Sequence, residues 1–300
     1  MSTFEPSPDI SCSLCGGHGY TLKPKKGFSF ATICSCVPDC PRCEDGVVRK
    51  MIDGVMRSGR CRCQKLPDRI AMFNRSGITA RHGSKDLSDF HWIDDSNMKI
   101  KVTTDLWVDN FAAGNEDKGI VFYGDVGRGK THLMVGLCKL LIFVHGIPVR
   151  FVEFSRLLGQ LREGYSAGKS DEAILGELVS VPILAIDEIG KGRLTEWEMS
   201  IIDDIISRRY NALKPLLGTT NYQWQGPSGT PVPALASQEF KQTLGDRIGS
   251  RAYSRLVEIS IPLKVHGADY RGLKEEDVAL LVRRASEGGK VPRPKRFNKR

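Results

Sequence analysis

The sequence predicts an α/β protein in which a central parallel sheet carries a phosphate-binding loop, with a small cysteine-rich module in front of it. Three runs carry that expectation. Gly124-Asp125-Val126-Gly127-Arg128-Gly129-Lys130-Thr131 fits G-x-x-x-x-G-K-[ST], with strand-like Ile120-Val121-Phe122-Tyr123 before it and apolar, helical Leu133-Met134-Val135-Gly136-Leu137 after it. Ile183-Leu184-Ala185-Ile186 reads as a buried strand that ends in Asp187-Glu188. Eight of the nine cysteines fall between residues 12 and 63.

The cysteines come first along the chain and repeat. Cys12-x-x-Cys15 is followed by Cys34-x-Cys36, and Cys40-x-x-Cys43 by Cys61-x-Cys63. Glycine comes shortly after each first pair, as a tight metal-binding knuckle needs. Each half offers four thiolates, enough to close one tetrahedral Zn²⁺ site, so residues 1–66 are expected to form a zinc-ribbon-like module with two structural zincs. A single interleaved cluster and an iron–sulfur centre stay open at this point. His18 reads as a loop residue because four thiols already suffice. With no ligand position left over, the module is expected to dock rather than catalyse. So short a segment needs its metal to fold.

Residues 67–97 are mixed, with Pro67, Gly77 and Gly83 as breakers, and read as a linker whose Ile78 and Phe90 pack against the larger domain after it. From 98 to 282 the strand and helix runs alternate. The glycines of the phosphate loop let several N–H groups converge on phosphate oxygens at a helix N-terminus. Lys130 is expected to reach the β- and γ-phosphates of ATP, and the Thr131 hydroxyl to ligate Mg²⁺. His132 comes next in the same helix and is grouped with the nucleotide-binding residues, although its side chain reads as structural. Val149-Arg150-Phe151-Val152-Glu153-Phe154 is a second strand, with a helix after it from Ser155 to about Gly164.

Asp187 and Glu188 fit a Walker B pair, Asp187 holding Mg²⁺ and Glu188 activating the attacking water. An amphipathic helix over 201–213 leads to Leu216-Leu217-Gly218-Thr219-Thr220, and Asn221 at that strand's tip suits a sensor of the γ-phosphate. Cys138 reads as a buried small hydrophobe. Trp92, Trp107 and Trp197 show no aromatic partner at helical spacing and read as packing.

The formal charge of +9 is uneven: residues 1–85 and 283–300 each carry a net +7, while the middle carries −5. Basic ends around a mildly acidic centre suit a polyanion such as nucleic acid, and the tail 283–300 is expected to be disordered. No apolar run reaches spanning length and residues 1–10 lack a leader pattern, so no membrane partner and a cytoplasmic location are expected.

Six blocks in order resemble the AAA+ ATPases, and within them the DnaC/DnaI helicase loaders and IstB transposition ATPases. They are GDVGRGKTHL (124–133), RFVEFSRLLGQLREGY (150–165), ILAIDEIG (183–190), IISRRYNALKPLLGTTN (205–221), GDRIGSRAYSRL (245–256) and GADYR (267–271). The resemblance implies an AAA+ P-loop ATPase with a central parallel sheet. It also implies an arginine finger at Arg251 that completes a neighbouring subunit's ATP site, with Arg247 and Arg255 as rivals, and a sensor-2 arginine at Arg271. The helix over 155–168 matches the segment with which loaders line a single-stranded DNA channel, with Arg156, Arg162, Tyr165 and Lys169 as contacts. The implied work is loading a replicative helicase onto single-stranded DNA, with self-association through the ATP site. The alternatives are an IstB-like ATPase that binds duplex DNA and recruits a transposase, or a zinc-based adaptor switched by ATP. The paired cysteine module is not general to the family.

Overall fold

The computed structural model describes residues 8–90, 95–193, 195–225, 242–267 and 269. Trp92, Arg271 and the basic tail 283–300 lie outside them. The chain divides into two compact units: Met1–Ser84 with Lys139–Val149, and Lys85–Cys138 with Arg150–Arg300.

The first unit holds two antiparallel hairpins, one for each cysteine repeat. β1 (Tyr20–Lys25) pairs with β2 (Phe28–Ile33), and β3 (Val47–Ile52) with β4 (Val55–Arg60). Both turns are Lys/Asp-Gly dipeptides with positive φ, at Lys26-Gly27 and Asp53-Gly54, the geometry a tight hairpin needs. Helix α1 (Lys65–Ser76) comes next, inside the stretch expected as a linker. Pro67 does not prevent it, because Pro67 sits in the first turn, where no N–H is owed to the helix. Gly77 closes α1 in the left-handed region. The Asn74 side chain grips the first hairpin by accepting from Ala31 N–H (2.7 Å) and donating to Ala31 C=O (3.0 Å). Residues 141–145 complete this unit as a π-helical turn: Phe143 stacks on Tyr20 with centroids 3.9 Å apart, and Arg69 donates to Val144 C=O.

The second unit begins with α2 (Asp95–Ala112) and is built on a sheet of five strands in the order β6-β7-β8-β5-β9. These are β5 (Gly119–Tyr123), β6 (Val149–Glu153), β7 (Ile183–Asp187), β8 (Leu216–Thr220) and β9 (Ser260–Lys264). β5 pairs in parallel with β8 and β9, and β7 with β8. Every residue of β5, β7 and β8 is buried, which fits their continuous apolar runs and a sheet covered on both faces. The helices between strands are α3 (Lys130–Leu140), α4 (Phe154–Ser166), α5 (Asp171–Ser180) and α6 (Glu196–Asn211), and α7 (Leu244–Ile248) and α8 (Ser250–Glu258) precede β9. Thr195 caps α6, and Thr243 with Asp246 forms a capping box on α7. Leu157, Leu158 and Leu161 of α4 and Ile201, Ile202, Ile205 and Ile206 of α6 join one core with β7.

One packing detail differs from expectation, and a second lies beyond what spacing can show. Trp107 does have an aromatic partner at helical spacing, since it stacks on Phe111 one turn later (5.1 Å) while donating to Lys118 C=O. Trp197 is met by Tyr165 from another helix, a pairing that spacing along one helix cannot reveal.

Arg209 is fully buried and, among the described residues, has no carboxylate partner. Its guanidinium donates to the carbonyls of Leu178, Val179, Val181, Pro182 and Pro215. These are the last carbonyls of α5 and the residues that lead into β7 and β8, so one cation joins three elements at a helix's negative end. Burial pulls its pKa down to about 10, still charged at neutral pH. Arg209→Met should leave those carbonyls dry and destabilise the second unit by about 3–5 kcal/mol, read as a lower urea midpoint at constant slope. A loss below about 1 kcal/mol would show that water replaces the guanidinium.

Candidate functional site

The C-terminal ends of parallel strands share one edge of the sheet, and the phosphate loop, the Walker B pair and Asn221 all leave from it. Positive φ at Gly124, Gly127 and Gly129 bends the loop between β5 and α3. A Cβ at Gly129 would meet the Phe90 ring at 2.7 Å and one at Gly127 an Asp269 oxygen at 1.9 Å, and φ of 84° at both makes a side chain at either position strained. Buried Lys130 donates to the carbonyls of Gly124 (2.9 Å) and Asp125 (2.6 Å). Asp125 pairs with Arg128, and Val126 faces outward. A ring nitrogen of His132 lies 2.6 Å from Asp86 C=O and the ring stands edge-on to Phe90, so its described contacts are structural. Burial lowers its pKa.

Thr131 Oγ1 donates to Asp187 Oδ1 at 2.9 Å, which puts a hydroxyl and a carboxylate side by side, the oxygen donors that Mg²⁺ prefers. The same carboxylate oxygen accepts from Thr219 of β8 at 2.5 Å, and Thr219 Oγ1 in turn accepts from Glu188 N–H at 2.9 Å. Glu188 lies at φ 57°, a left-handed conformation that a glutamate holds only when its surroundings fix it. Its Oε2 is 2.5 Å from Lys191 Nζ. The loop carrying Lys191 is clamped by Arg247, which donates to Gly190 C=O (2.9 Å) and Gly192 C=O (2.6 Å) and lies over the Tyr222 ring. Thr219, Lys191 and Arg247 are invisible as a set in the sequence because they meet only across strands and loops.

The three rival arginines separate. Arg247 is the clamp, and Arg255 donates to Asp203 and Ser207. Arg251 is the exposed one: its side chain is 73% accessible and its ion pair to Asp203 is long, at 3.8 Å. Asn221 stands one residue past β8 and is half-buried. On α4, Arg162 is drawn to buried Glu198 (3.2 Å) and lies over Trp197 (4.8 Å), so this member of the expected DNA-contact group has intramolecular work.

In the first unit, the sulfurs gather by halves. The four Sγ of Cys12, Cys15, Cys34 and Cys36 lie within 4.8 Å of one another, and so do those of Cys40, Cys43, Cys61 and Cys63. The closest contacts are 3.4–3.8 Å. A tetrahedron with Zn–S bonds of about 2.3 Å has edges of about 3.8 Å, so the donor sets fit zinc. An iron–sulfur cluster would hold its cysteines farther apart. The backbone repeats too: Cys34 N–H donates to Gly19 C=O and Cys61 N–H to Gly46 C=O. His18 is exposed and outside both clusters. Crowded thiols compete for protons. Burial raises Cys15, but N–H and S–H donors outweigh it and bring it to about 7, while burial and its neighbours push Cys36 up to about 12. The Cys63 N–H helps bring Cys61 to about 7, and the Cys63 thiol pushes Cys43 up to about 12.

The family described as IstB-like ATP binding protein matches residues 69–275, which include the phosphate loop, the Walker B pair and Arg251. The chain belongs to this family. It is 27% identical over 180 residues to the replicative helicase loader DnaC of Escherichia coli strain K12, spanning 60% of this chain and 67% of that protein. It is 25% identical over 201 residues to DnaC of Buchnera aphidicola subsp. Baizongia pistaciae, spanning 66% of this chain and 78% of the relative. The crystal structure of the DnaC helicase loader is similar at a TM-score of 0.53 and 28% identity, covering 63% of this chain and all of that one. This member of the family is therefore an ATP-binding protein with an AAA+ fold. Among the described residues no helix is long and apolar enough to cross a membrane.

The sulfur geometry sets an expectation for metal removal. The purified chain should carry about two zinc ions, and stripping them should abolish hydrogen-exchange protection in β1–β4 while β5, β7 and β8 stay protected. About one zinc per chain, or hairpins that stay protected without metal, would contradict two structural sites.

Proposed function

We propose that this chain is an ATP-driven loader that places a replicative helicase on single-stranded DNA. The observation that carries the reading is the likeness to DnaC over the unit that holds the nucleotide machinery. In this reading the loop N–H groups and Lys130 hold the phosphates of ATP, and Thr131 with Asp187 holds Mg²⁺. Bound Mg²⁺ supplies neutralisation of charge on the phosphate oxygens. Glu188 takes a proton from the water that attacks the γ-phosphorus, and the bond to the bridging oxygen of the leaving ADP breaks. Asn221 and Arg271 contact the γ-phosphate side. Lys191 competes for the Glu188 carboxylate, and its release belongs to activation. Arg251 is supplied to the neighbouring subunit's site, a role its exposure permits.

Residues 1–66 act as the zinc-held docking module, 67–97 join it to the AAA+ domain of 98–282, and 283–300 form a basic tail for nucleic acid. A second reading is favoured by the family match itself: an IstB-like ATPase acting on duplex DNA with a transposase. Co-elution of the full chain with a replicative helicase hexamer, and ATP-dependent transfer of that hexamer to a single-stranded circle, tests the loader reading. Failure of both, with ATP still bound and duplex affinity intact, moves the assignment to the second.

Glu188→Gln should keep nucleotide affinity and lower turnover about 100-fold or more, whereas Lys191→Met should raise basal turnover. Normal hydrolysis by Glu188→Gln would remove Glu188 from the mechanism. Arg251→Ala and Lys130→Ala should each lose about 1,000-fold in turnover, and mixing them should restore a measurable part, because each variant completes a different half of the shared site. Absence of complementation between variants that still assemble would rule out a finger supplied in trans.

A further inference from the structure

The two cysteine repeats share a backbone and differ in what their hairpins meet. The first hairpin is covered by its own unit: Ala31 is held by Asn74, Ser29 N–H donates to Ile78 C=O at 2.9 Å, and Tyr20 stacks on Phe143. In the second hairpin every residue of β4 is exposed, and so is β3 beyond Val48. Four large apolar side chains stand at its tip: Met51 (65% exposed), Ile52 (43%), Val55 (60%) and Met56 (59%). Cations on a bare two-stranded ribbon can serve simply to discourage edge-to-edge aggregation. Four apolar residues at the tip work against that purpose.

The register sorts the ribbon into two unequal faces. Met51 opposes Met56, and beside them Arg49 and Arg60 are neutralised within the chain by Glu44 and Asp68. On the other face Ile52 opposes Val55 and Lys50 opposes Arg57. Lys50 and Arg57 make no ion pair among the described residues. Like charges directly across a strand pair repel, so this arrangement is stable only weakly until an anion faces it. One face is thus internally balanced, while the other presents an apolar pair backed by two uncompensated cations.

We propose that the Lys50/Ile52/Val55/Arg57 face of the second hairpin is a docking surface for a protein partner, whose recognition site is an apolar pocket rimmed by carboxylates. A nucleic-acid groove fits less well. It would bring phosphates to both faces of the ribbon, yet only one face has cations to spare, and Asp53 places a carboxylate in the turn at the leading end. Under the loader reading, on which this step rests, the partner is the replicative helicase.

The test uses the full chain and a purified helicase hexamer, titrated by co-elution and by fluorescence anisotropy. Ile52→Thr/Val55→Thr keeps β-branched residues in the strands, Lys50→Glu/Arg57→Glu reverses the charge, and Met51→Thr/Met56→Thr alters the opposite face. Zinc content and ATP binding report folding for each. The expected result is a loss of about 100-fold or more in helicase affinity for the first two pairs, with the third within a few-fold of the native chain, and native binding that weakens as salt rises. If the native chain binds helicase and the first two pairs bind equally well, the docking surface is overturned and the loader reading stands. If the native chain itself fails to bind, both fall. Loss of affinity for single-stranded or duplex oligonucleotides, or a changed self-association without helicase, would assign the face to nucleic acid or to a second copy and overturn the proposal.

Discussion

The carboxylate of Asp187 ties the nucleotide site together. β5 and β7 are separated by β8, so the loop after one and the acid that ends the other start about 10 Å apart. Thr131 closes that gap from the first turn of α3, and Thr219 closes it from β8 between them. One oxygen thereby fixes the start of the phosphate-loop helix, the end of the Walker B strand and the tip of the intervening strand. Thr219 then reaches the next residue's amide, which is how Glu188 is kept in a backbone conformation it would otherwise leave. The small residues Gly218-Thr219-Thr220 suit β8 to this position: a Cβ at Gly218 would approach Ile189 at 2.5 Å.

What is legible in the sequence is what local chemistry dictates. Glycines at positions that need positive φ, a lysine and threonine that open a helix, and acids that end an apolar strand all specify their local placement without distant partners. The paired cysteines do likewise, and the geometry removes the interleaved arrangement that spacing alone leaves open. Helix α1 escapes a sequence reading because Pro67 looks like a breaker, although in a first turn it costs the helix nothing. Trp107 and Phe111 stand one turn apart in plain view, a pair that periodicity alone is enough to find. Lys191, Thr219 and the clamp of Arg247 are beyond reach for a different reason. Their meaning depends on which strand lies between which, and that is set by the whole sheet. The same holds for the choice among the three arginines, which share one charged segment and differ only in what the fold gives each to hold.

Electrostatics in this molecule divides by depth. Both terminal nitrogens of Arg209 are met by carbonyl dipoles, a solution that needs no second buried ion and so avoids a second desolvation cost, although its buried Nε has no hydrogen-bond partner among the described residues. Nearer the surface, Arg162, Arg247 and Arg255 each find a polar partner, and the first two also lie over an aromatic ring. Such cations position loops more than they stabilise the fold.

The first unit is discontinuous: after Ser84 the chain leaves it and returns at Lys139, within the helix that begins at Lys130. Phe143, the partner of Tyr20, and Val144, the acceptor of Arg69, arrive by that return. The crossover from β5 to β6 thus belongs to the architecture of both units. A module inserted at a single junction can be gained, lost or exchanged as a cassette during evolution. This one is joined to the chain at two places, so exchanging it would also mean rebuilding the end of the phosphate-loop helix. A hybrid spliced at a single boundary would therefore lack one of the two chain segments from which the first unit is built.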